Sequence, residues 1–158
     1  MSERGFDGAR YRQVLGHFPT GVCVVAGFHE DKPVGLAIGS FFSISLDPPL
    51  VGFCAATSSS TWPKLRQAGQ FCINILAEDQ EEISRIFASK DADKFAGLGW
   101  SRSPLGSPRV DRALAWVDCD LDQVHPAGDH EIVVGAVHDL QVEREGGPLV
   151  FFRGGYGV

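Results

Sequence analysis

Short runs of β-branched and aromatic residues, each ended by a turn signal, dominate the first half of the 158-residue sequence. Four such runs are GVCVVAGF, VGLAIGSFFSISL, PLVGFCAA and QFCINILA, and turn-forming segments such as EDKP and LDPP separate them. Runs of this length and composition between turn residues are typical of strands rather than helices. The first half of the chain is therefore predicted to be rich in β-structure.

Three short helices are predicted around these strands. Four apolar residues near the N-terminus share one helical face and predict a docking helix that ends at Pro19: Tyr11, Val14, Leu15 and Phe18. The segment STWPKLRQAG predicts a helix with a hydroxyl cap and with Gly69 at its end. The segment AEDQEEISRIFASK predicts another helix, with acidic residues in its first turn.

The second half of the chain adds further strands after a loop rich in Gly, Ser and Pro at residues 97–112. Three strands are predicted in ALAWVDCDLDQV, HEIVVGAVHDLQVE and PLVFF. Six or seven strands with short connections and few helices favour a mostly β fold over a parallel α/β sheet. We therefore expect an antiparallel six- to seven-stranded barrel.

Length and charge limit the remaining choices. A chain of 158 residues with 44% apolar residues is expected to form one domain, residues 1–158. No apolar run approaches the ~20 residues of a membrane span, and the polar start MSERGFDGARYRQ is no secretory signal, so a cytoplasmic protein is expected. The formal net charge of −6 disfavours a nucleic-acid partner. A small-molecule ligand is the better expectation.

The four cysteines lie far apart in apolar contexts, without a C-x-x-C pair and without a histidine at metal-ligand spacing. Buried free thiols are therefore expected, and neither a disulfide nor a metal site. No G-x-G-x-x-G follows a strand, and the P-loop, the G-x-S-x-G nucleophile elbow and the H-E-x-x-H zinc helix are also absent. The common nucleotide-binding and hydrolase classes are thereby excluded.

Four consecutive hydroxyl residues, Ser58–Thr61, lie directly before the predicted STWPKLRQAG helix. Hydroxyl donors and the unpaired amides of a helix start suit a phosphate, and Lys64 and Arg66 would add positive charge. In the alternative interpretation, Ser60 or Thr61 caps the helix and the other residues form a loop. Spacing alone does not decide between a phosphate site and a cap.

Two further segments place polar or aromatic groups beside turns. In GDH (residues 128–130), Asp129 and His130 either order the turn, or His130 contacts a ligand or exchanges a proton near neutral pH. The segment FRGGYG (residues 152–157) is either a plain closing strand or a surface suited to stacking against a flat ligand.

The order of these segments resembles the flavin reductase family, most closely the NAD(P)H:flavin oxidoreductase components of two-component flavin-dependent monooxygenases. The resemblance runs from about Tyr11 to Gly157 and depends on the succession YRQVLGHFPTGVCVV, PVGLAIGSFFSISLDPPLVGFC, SSSTWPKLRQAGQFCINIL, DQEEISRIFASKDADKF, GSP, ALAWVDCDL, GDHEIVVGAV and PLVFFRGGYG. It implies an FMN-binding split barrel that forms a homodimer, with flavin near the subunit interface.

The resemblance also implies three groups of site residues. Residues along the flavin ring, where small or polar side chains let a planar ring approach the backbone, are Gly39, Ser40, Phe41, Phe42 and Ser43. Residues around the ribityl phosphate are Ala55, Ala56, Thr57, Ser58, Ser60, Thr61 and Trp62, joined by Lys90 near the phosphate or tail. Residues facing the nicotinamide nucleotide are His130, Arg153, Gly154, Gly155 and Tyr156.

Within the first group, the Ser40 and Ser43 hydroxyls are expected to bond to the edge of the ring. Many relatives carry Thr where this chain has Ala37 and Phe42, which bears on the hydrogen bonds of the pocket and on the choice between FMN and FAD.

By the same resemblance, the protein transfers a hydride from NADH or NADPH to FMN or FAD and passes the reduced flavin to a separate oxygenase. His130 is the catalytic candidate, and no nucleophile is required because the flavin carries the hydride chemistry. Two alternatives stay open: a split-barrel flavoprotein that retains its FMN and acts on another substrate, and a flavin carrier without nicotinamide turnover. Neither nucleic acid nor a membrane is an expected partner.

Overall fold

The computed structural model describes residues 5–90 and 93–157, so the ends of the predicted domain 1–158 lie outside the described residues. The strands are β1 (Thr20–Gly21), β2 (Cys23–His29), β3 (Lys32–Ile38), β4 (Phe42–Leu46), β5 (Pro49–Ala56), β6 (Gln70–Ile75), β7 (Trp100–Arg102), β8 (Pro108–Val110), β9 (Ala115–Ala127), β10 (His130–Val142), β11 (Val150–Phe152) and β12 (Gly155–Tyr156). The helices are α1 (Gly8–Leu15), α2 (Trp62–Ala68) and α3 (Glu81–Ala88).

Seven of the strands form one antiparallel sheet in the order β3-β2-β6-β9-β10-β5-β4. The long hairpin of β9 and β10 lies at its centre. β-branched and aromatic residues populate these strands because they fit a pleated, half-buried surface. The prediction of a mostly β, antiparallel fold with six or seven main strands is confirmed.

The run VGLAIGSFFSISL, predicted as one strand, is broken at residues 39–41 into β3 and β4, so that prediction is wrong. β3 and β4 lie at opposite edges of the sheet. In the break, the Ser40 hydroxyl bonds to the backbone of Cys54 in β5, on the far side of the sheet order. The chain therefore passes directly from one sheet edge to the other, which requires a curled sheet.

Each face of the sheet buries an apolar cluster. Trp62 and Leu65 of α2 enter one cluster, and Phe87 of α3 enters the other. Neighbouring residues of β2 divide between them, with Val25 in the first and Val24 in the second, because successive side chains of a strand point to opposite faces. The sheet thus holds α2 and α3 on its two faces, close to the β3 edge.

The helix boundaries and caps differ in part from the prediction. Thr61 is the N-cap residue of α2, but its side chain makes no capping hydrogen bond. The Ser59 hydroxyl instead accepts hydrogen bonds from the backbone N–H groups of Thr61 and Trp62 at 3.2 and 3.1 Å. The prediction of Thr61 as the cap residue is therefore confirmed for its position, whereas the expected hydroxyl bond is made by Ser59. Gly69 ends α2 in the left-handed conformation, with φ of 73°, as predicted.

Helix α1 forms in the predicted region but ends at Leu15 rather than at Pro19, and the described chain does not bury the apolar face predicted for it. The four residues of that face are 52–73% exposed: Tyr11, Val14, Leu15 and Phe18. The end of the helix is joined to the rest of the chain by its backbone instead, since the Gly16 carbonyl accepts from the Arg153 N–H at 2.8 Å. The expected docking of this face on the chain's own sheet is not observed.

The predicted loop at residues 97–112 contains a two-stranded hairpin, β7 and β8. Buried polar side chains hold it: Asn74 accepts from the Val110 N–H at 2.9 Å, and Asp118 accepts from the Ser103 hydroxyl at 2.7 Å. These partners lie far away in sequence, so local composition did not reveal the hairpin. A three-stranded sheet of β1, β11 and β12 completes the fold.

All four cysteines are free thiols, of which Cys23, Cys72 and Cys119 are buried and Cys54 is half-buried. Burial raises the pKa of the Cys23 and Cys119 thiols to about 12. Within residues 5–90 and 93–157, no cluster of His, Cys, Asp or Glu has the composition of a metal site. None of the helices in that part of the chain is long and apolar enough to cross a bilayer.

Candidate functional site

A cleft of about 770 Å³ lies beside the β3 edge, where the break after β3, the end of β5, the loop before α2, the end of α3 and the start of β10 meet. We call it the main cleft. Its lining residues are Leu36, Ala37, Ile38, Gly39, Ser40, Cys54, Ala56, Ser58, Ser59, Ser60, Thr61, Phe87, Ala88, Ser89, Lys90, Lys94 and His130. Segments far apart in sequence therefore contribute to one concave surface of the size of a cofactor site.

Eight of the predicted site residues line this cleft: Gly39, Ser40, Ala56, Ser58, Ser60, Thr61, Lys90 and His130. Six others from the two predicted flavin segments do not. Phe42 and Ser43 lie exposed on β4, and Phe41 packs against an apolar cluster. Ala55 and Trp62 are buried in the core, and Thr57 is held at the turn beside Asp129.

The hydroxyl segment, Ser58–Thr61, presents most of its side chains to the main cleft. Ser59 is engaged by the cap of α2, whereas no hydrogen bond within the described residues engages the hydroxyls of Ser60 and Thr61. Hydroxyl groups that are not used for capping can donate to an anion. Lys64 and Arg66 do not line the cleft, which differs from the role considered for them from the sequence.

Positive charge enters the main cleft from the segment that follows α3. Lys90 lines the cleft with an exposed side chain, and Lys94 donates to the Phe87 carbonyl at 2.9 Å. None of the described lining residues is acidic. The cleft therefore favours an anionic group, even though the whole chain carries a net charge of −6.

Lys94, Ser59 and Cys54 are lining residues that the sequence interpretation did not select. Lys94 belongs to the quoted segment DQEEISRIFASKDADKF, which was its only signal. Glycine also shapes this wall, because a Cβ on Gly35 would lie 2.8 Å from the Phe87 ring. The absence of that Cβ lets α3 lie close to β3 and brings the end of α3 to the cleft.

His130 starts β10 at the rim of the main cleft. Its Nδ1 lies 2.7 Å from Asp129 Oδ1, and its side chain is 47% exposed. The hydrogen bond from His130, and then the charge of its ring, lower the pKa of the Asp129 carboxyl below its ordinary value. With Nδ1 donating to Asp129, Nε2 is the nitrogen left for a ligand or for proton exchange.

The predicted C-terminal site residues lie apart from the main cleft. Arg153 and Gly154 line a second cleft of about 510 Å³, together with Arg12 and His17. The Tyr156 hydroxyl lies 2.7 Å from the Ser84 hydroxyl of α3, and the Arg85 guanidinium stacks over its ring at 4.8 Å. Arg153 and Gly154 thus line a different cleft from His130, and neither Gly155 nor Tyr156 is a lining residue of the main cleft.

Comparison with known proteins assigns the chain to a family. The profile described as "Flavin reductase like domain" matches residues 15–158. The chain belongs to this family. It is 53% identical over 148 residues to a flavin reductase from Pseudomonas putida, covering 93% of this chain and 87% of that protein.

Other relatives extend the comparison. The chain is 45% identical over 156 residues to the flavin-dependent monooxygenase reductase subunit HsaB of Rhodococcus jostii (strain RHA1), covering 99% of this chain and 80% of that one. Among solved structures, nitrilotriacetate monooxygenase component B from Mycobacterium thermoresistibile superposes with a TM-score of 0.92 at 48% identity, covering 94% of this chain and 84% of that one. The NADH:FAD oxidoreductase SgcE6 of Streptomyces globisporus C-1027, solved with NAD and FAD fragments, gives a TM-score of 0.91 at 31% identity, covering 96% and 92%.

Proposed function

We propose that this protein is an NAD(P)H-dependent flavin reductase that supplies reduced flavin to a separate monooxygenase. The observation that carries the proposal is the main cleft, in which hydroxyl side chains and two lysines meet His130 and none of the lining residues that the structure describes is acidic. The family and the relatives named above, one of them a monooxygenase reductase subunit, support it.

The residues of the main cleft suit a flavin nucleotide. Ser58, Ser60, Thr61 and Lys90 would hold the phosphate, since hydroxyls and an ammonium are suitable donors to it. We assign this role to side chains rather than to a helix dipole, because α2 has only seven residues. The backbone at Gly39 and Ser40 and the small side chain of Ala56 would leave room for the ring.

When bound, flavin supplies the group that accepts a hydride from the nicotinamide nucleotide. The chain itself needs to bind, orient and exclude water rather than provide a nucleophile. His130 would contact the nicotinamide nucleotide or move a proton through Nε2, while Asp129 fixes the other ring nitrogen. We further propose that Arg153, Gly154, Gly155 and Tyr156, which lie outside the main cleft, hold a part of the nicotinamide nucleotide other than the part at His130.

Five finer proposals complete this function. FMN is the proposed flavin, with FAD as the alternative, and NADH or NADPH is the co-substrate. A homodimer is proposed, supported by the exposed apolar face of α1, because contiguous apolar surface commonly marks a protein contact. We also propose one domain over residues 1–158 and a cytoplasmic location.

A turnover assay tests the function. The purified protein is mixed with NADH, and separately with NADPH, under air, with and without excess FMN, and the nicotinamide absorbance band is followed. We expect oxidation of NADH at a rate that rises with added FMN. Turnover that does not depend on added flavin would instead indicate a protein that retains its FMN, and no turnover with either NADH or NADPH would indicate a flavin carrier.

A further inference from the structure

Both ends of the hydroxyl segment are attached to the residues around His130. Before the segment, the N–H and the hydroxyl of Thr57 donate to the Asp129 carbonyl at 2.9 and 3.0 Å. After it, the indole N–H of Trp62 donates to Glu131 Oε1 at 2.8 Å. The hydroxyl segment therefore begins and ends on one short stretch of chain, residues 129–131.

The attachment after the segment depends on one carboxylate. Glu131 Oε2 accepts from Arg66 Nη1 at 2.9 Å, so both oxygens of this half-buried side chain are engaged. Trp62 is only 2% exposed, and its indole N–H, which can only donate, requires an acceptor. Within the described residues, Glu131 is the acceptor found for it. Arg66 and Trp62 lie one helical turn apart, so Glu131 fixes the first turn of α2 as a unit.

We propose that Glu131 is a positioning residue for the flavin phosphate. Trp62 follows Thr61 directly, so no flexible residue separates the Glu131 bond from the last hydroxyl of the segment. Glu131 follows His130 directly, so the same bond sets the distance across the main cleft between the phosphate-binding hydroxyls and His130. This inference rests on the proposed function, because it requires that the hydroxyl segment holds a flavin phosphate.

A second group of one Trp, one Glu and one Arg provides a matched control for the group of Trp62, Glu131 and Arg66. Trp116 donates its indole N–H to Glu143 Oε1 at 2.6 Å, and Arg109 Nη1 lies 3.6 Å from the same carboxylate. Trp116 is 3% exposed, which is close to the burial of Trp62. None of these three residues lines the main cleft. Removing Glu143 therefore reproduces the loss of a Trp–Glu–Arg contact without touching the phosphate site.

The experiment compares Glu131→Ala, Glu131→Gln and Glu143→Ala. The dissociation constants of FMN and riboflavin are measured by fluorescence titration, and their ratio isolates the contribution of the phosphate. We expect Glu131→Ala to reduce the preference for FMN by about tenfold or more, as for the loss of a charge-assisted hydrogen bond. Glu131→Gln retains an acceptor for Trp62 and is expected to stay within about threefold of the wild type. Glu143→Ala is expected to leave the ratio unchanged.

Each outcome is decisive. An unchanged ratio in folded Glu131→Ala, or an equal decrease in Glu143→Ala, overturns the positioning role. If Glu131→Ala does not fold, Trp62→Phe removes the same hydrogen bond from the other side, with Trp116→Phe as its control and with the same expected difference. If the wild-type protein binds neither flavin, the proposed function itself is overturned. If the wild-type protein prefers FMN and Glu131→Ala shows the same preference, only the positioning role is overturned.

Discussion

The Ser40 hydroxyl bonds to both backbone polar groups of Cys54: it accepts from the N–H at 2.9 Å and donates to the carbonyl at 3.2 Å. Ser40 lies just after β3 and Cys54 lies within β5, so this side chain joins parts of the sheet that are far apart in its strand order. Both residues line the main cleft. A hydroxyl thus takes the place of a strand-to-strand pairing at the cleft wall.

Substitution of Ser40 tests this contact. Ser40→Ala leaves two backbone groups of Cys54 without this partner, and we expect the free energy of unfolding to fall by about 1–3 kcal/mol. Ser43→Ala is the control, since Ser43 is exposed, and its effect should stay within about 0.5 kcal/mol. Urea unfolding measures both. Equal stabilities of the two variants would show that the Ser40 contact does not stabilise the fold.

The local sequence pattern predicted the main strands and the end of α2. The main strands follow from runs of β-branched and aromatic residues, and Gly69 ends α2 because glycine tolerates positive φ. The sequence also singled out the hydroxyl segment and His130, which line the main cleft, because they stand beside the start of a predicted helix and of a predicted strand. Their meeting in one cleft came from the family resemblance and not from spacing.

Contacts between distant residues were not predictable in this way. Ser40 and Cys54 are 14 positions apart, and Trp62 and Glu131 are 69 positions apart. Thr61 is the N-cap residue of α2, as one of the two predicted candidates, but the hydroxyl that bonds to the helix start is that of Ser59. Ser59, Ser60 and Thr61 are equally suitable by type, and only the path of the loop selects the one that bonds. A sequence pattern gives the period of an element, but not which side chain reaches across the fold.

The phosphate site is tested by replacing Ser60 and Thr61 together with Ala. We expect FMN binding to weaken far more than riboflavin binding, because only FMN carries the phosphate. Each lost charge-assisted hydrogen bond should cost about 1.5–3 kcal/mol. Fluorescence titration of both flavins measures the effect, with riboflavin as the internal control. Equal losses for the two flavins would mean that these hydroxyls do not hold the phosphate.

The buried thiols predict a pH dependence of stability. Burial raises the pKa of Cys23 from 9.0 to about 12, so the unfolded chain loses this proton at lower pH than the folded chain does. The neutral Cys23 thiol therefore makes its full contribution to the free energy of unfolding below pH 9. Between pH 9 and about 12, this contribution falls by about 1.4 kcal/mol per pH unit. The stability difference between wild type and Cys23→Ala should shrink by about 2 kcal/mol between about pH 8 and about pH 10.5. A difference that is constant over this range in denaturant unfolding would contradict burial of a neutral thiol.

The proposed homodimer predicts a mass. Light scattering of the flavin-loaded, active protein should give twice the chain mass of 17.1 kDa. The physical reason is the uncovered apolar face of α1, whose exposure to water is unfavourable in a lone chain. A mass of one chain under conditions of full activity would remove the dimer from the proposal.

Replacement of His130 separates a role in the nicotinamide half-reaction from a role in the turn. His130 lies at the rim of the main cleft, and its Nδ1 is bonded to Asp129, so its Nε2 can bond to the nicotinamide nucleotide or exchange a proton. His130→Ala should raise the Michaelis constant for NADH, lower turnover, or both, while the FMN dissociation constant changes by no more than about twofold, or about 0.4 kcal/mol. His138→Ala, at an exposed histidine that does not line the cleft, should leave all three quantities unchanged.

If His130 only orders the turn with Asp129, the variant should melt at a lower temperature while its folded fraction keeps normal activity. Stopped-flow reduction of bound flavin by NADH, compared at equal folded protein, decides the question, and an unchanged reduction rate together with an unchanged NADH affinity would exclude the functional role.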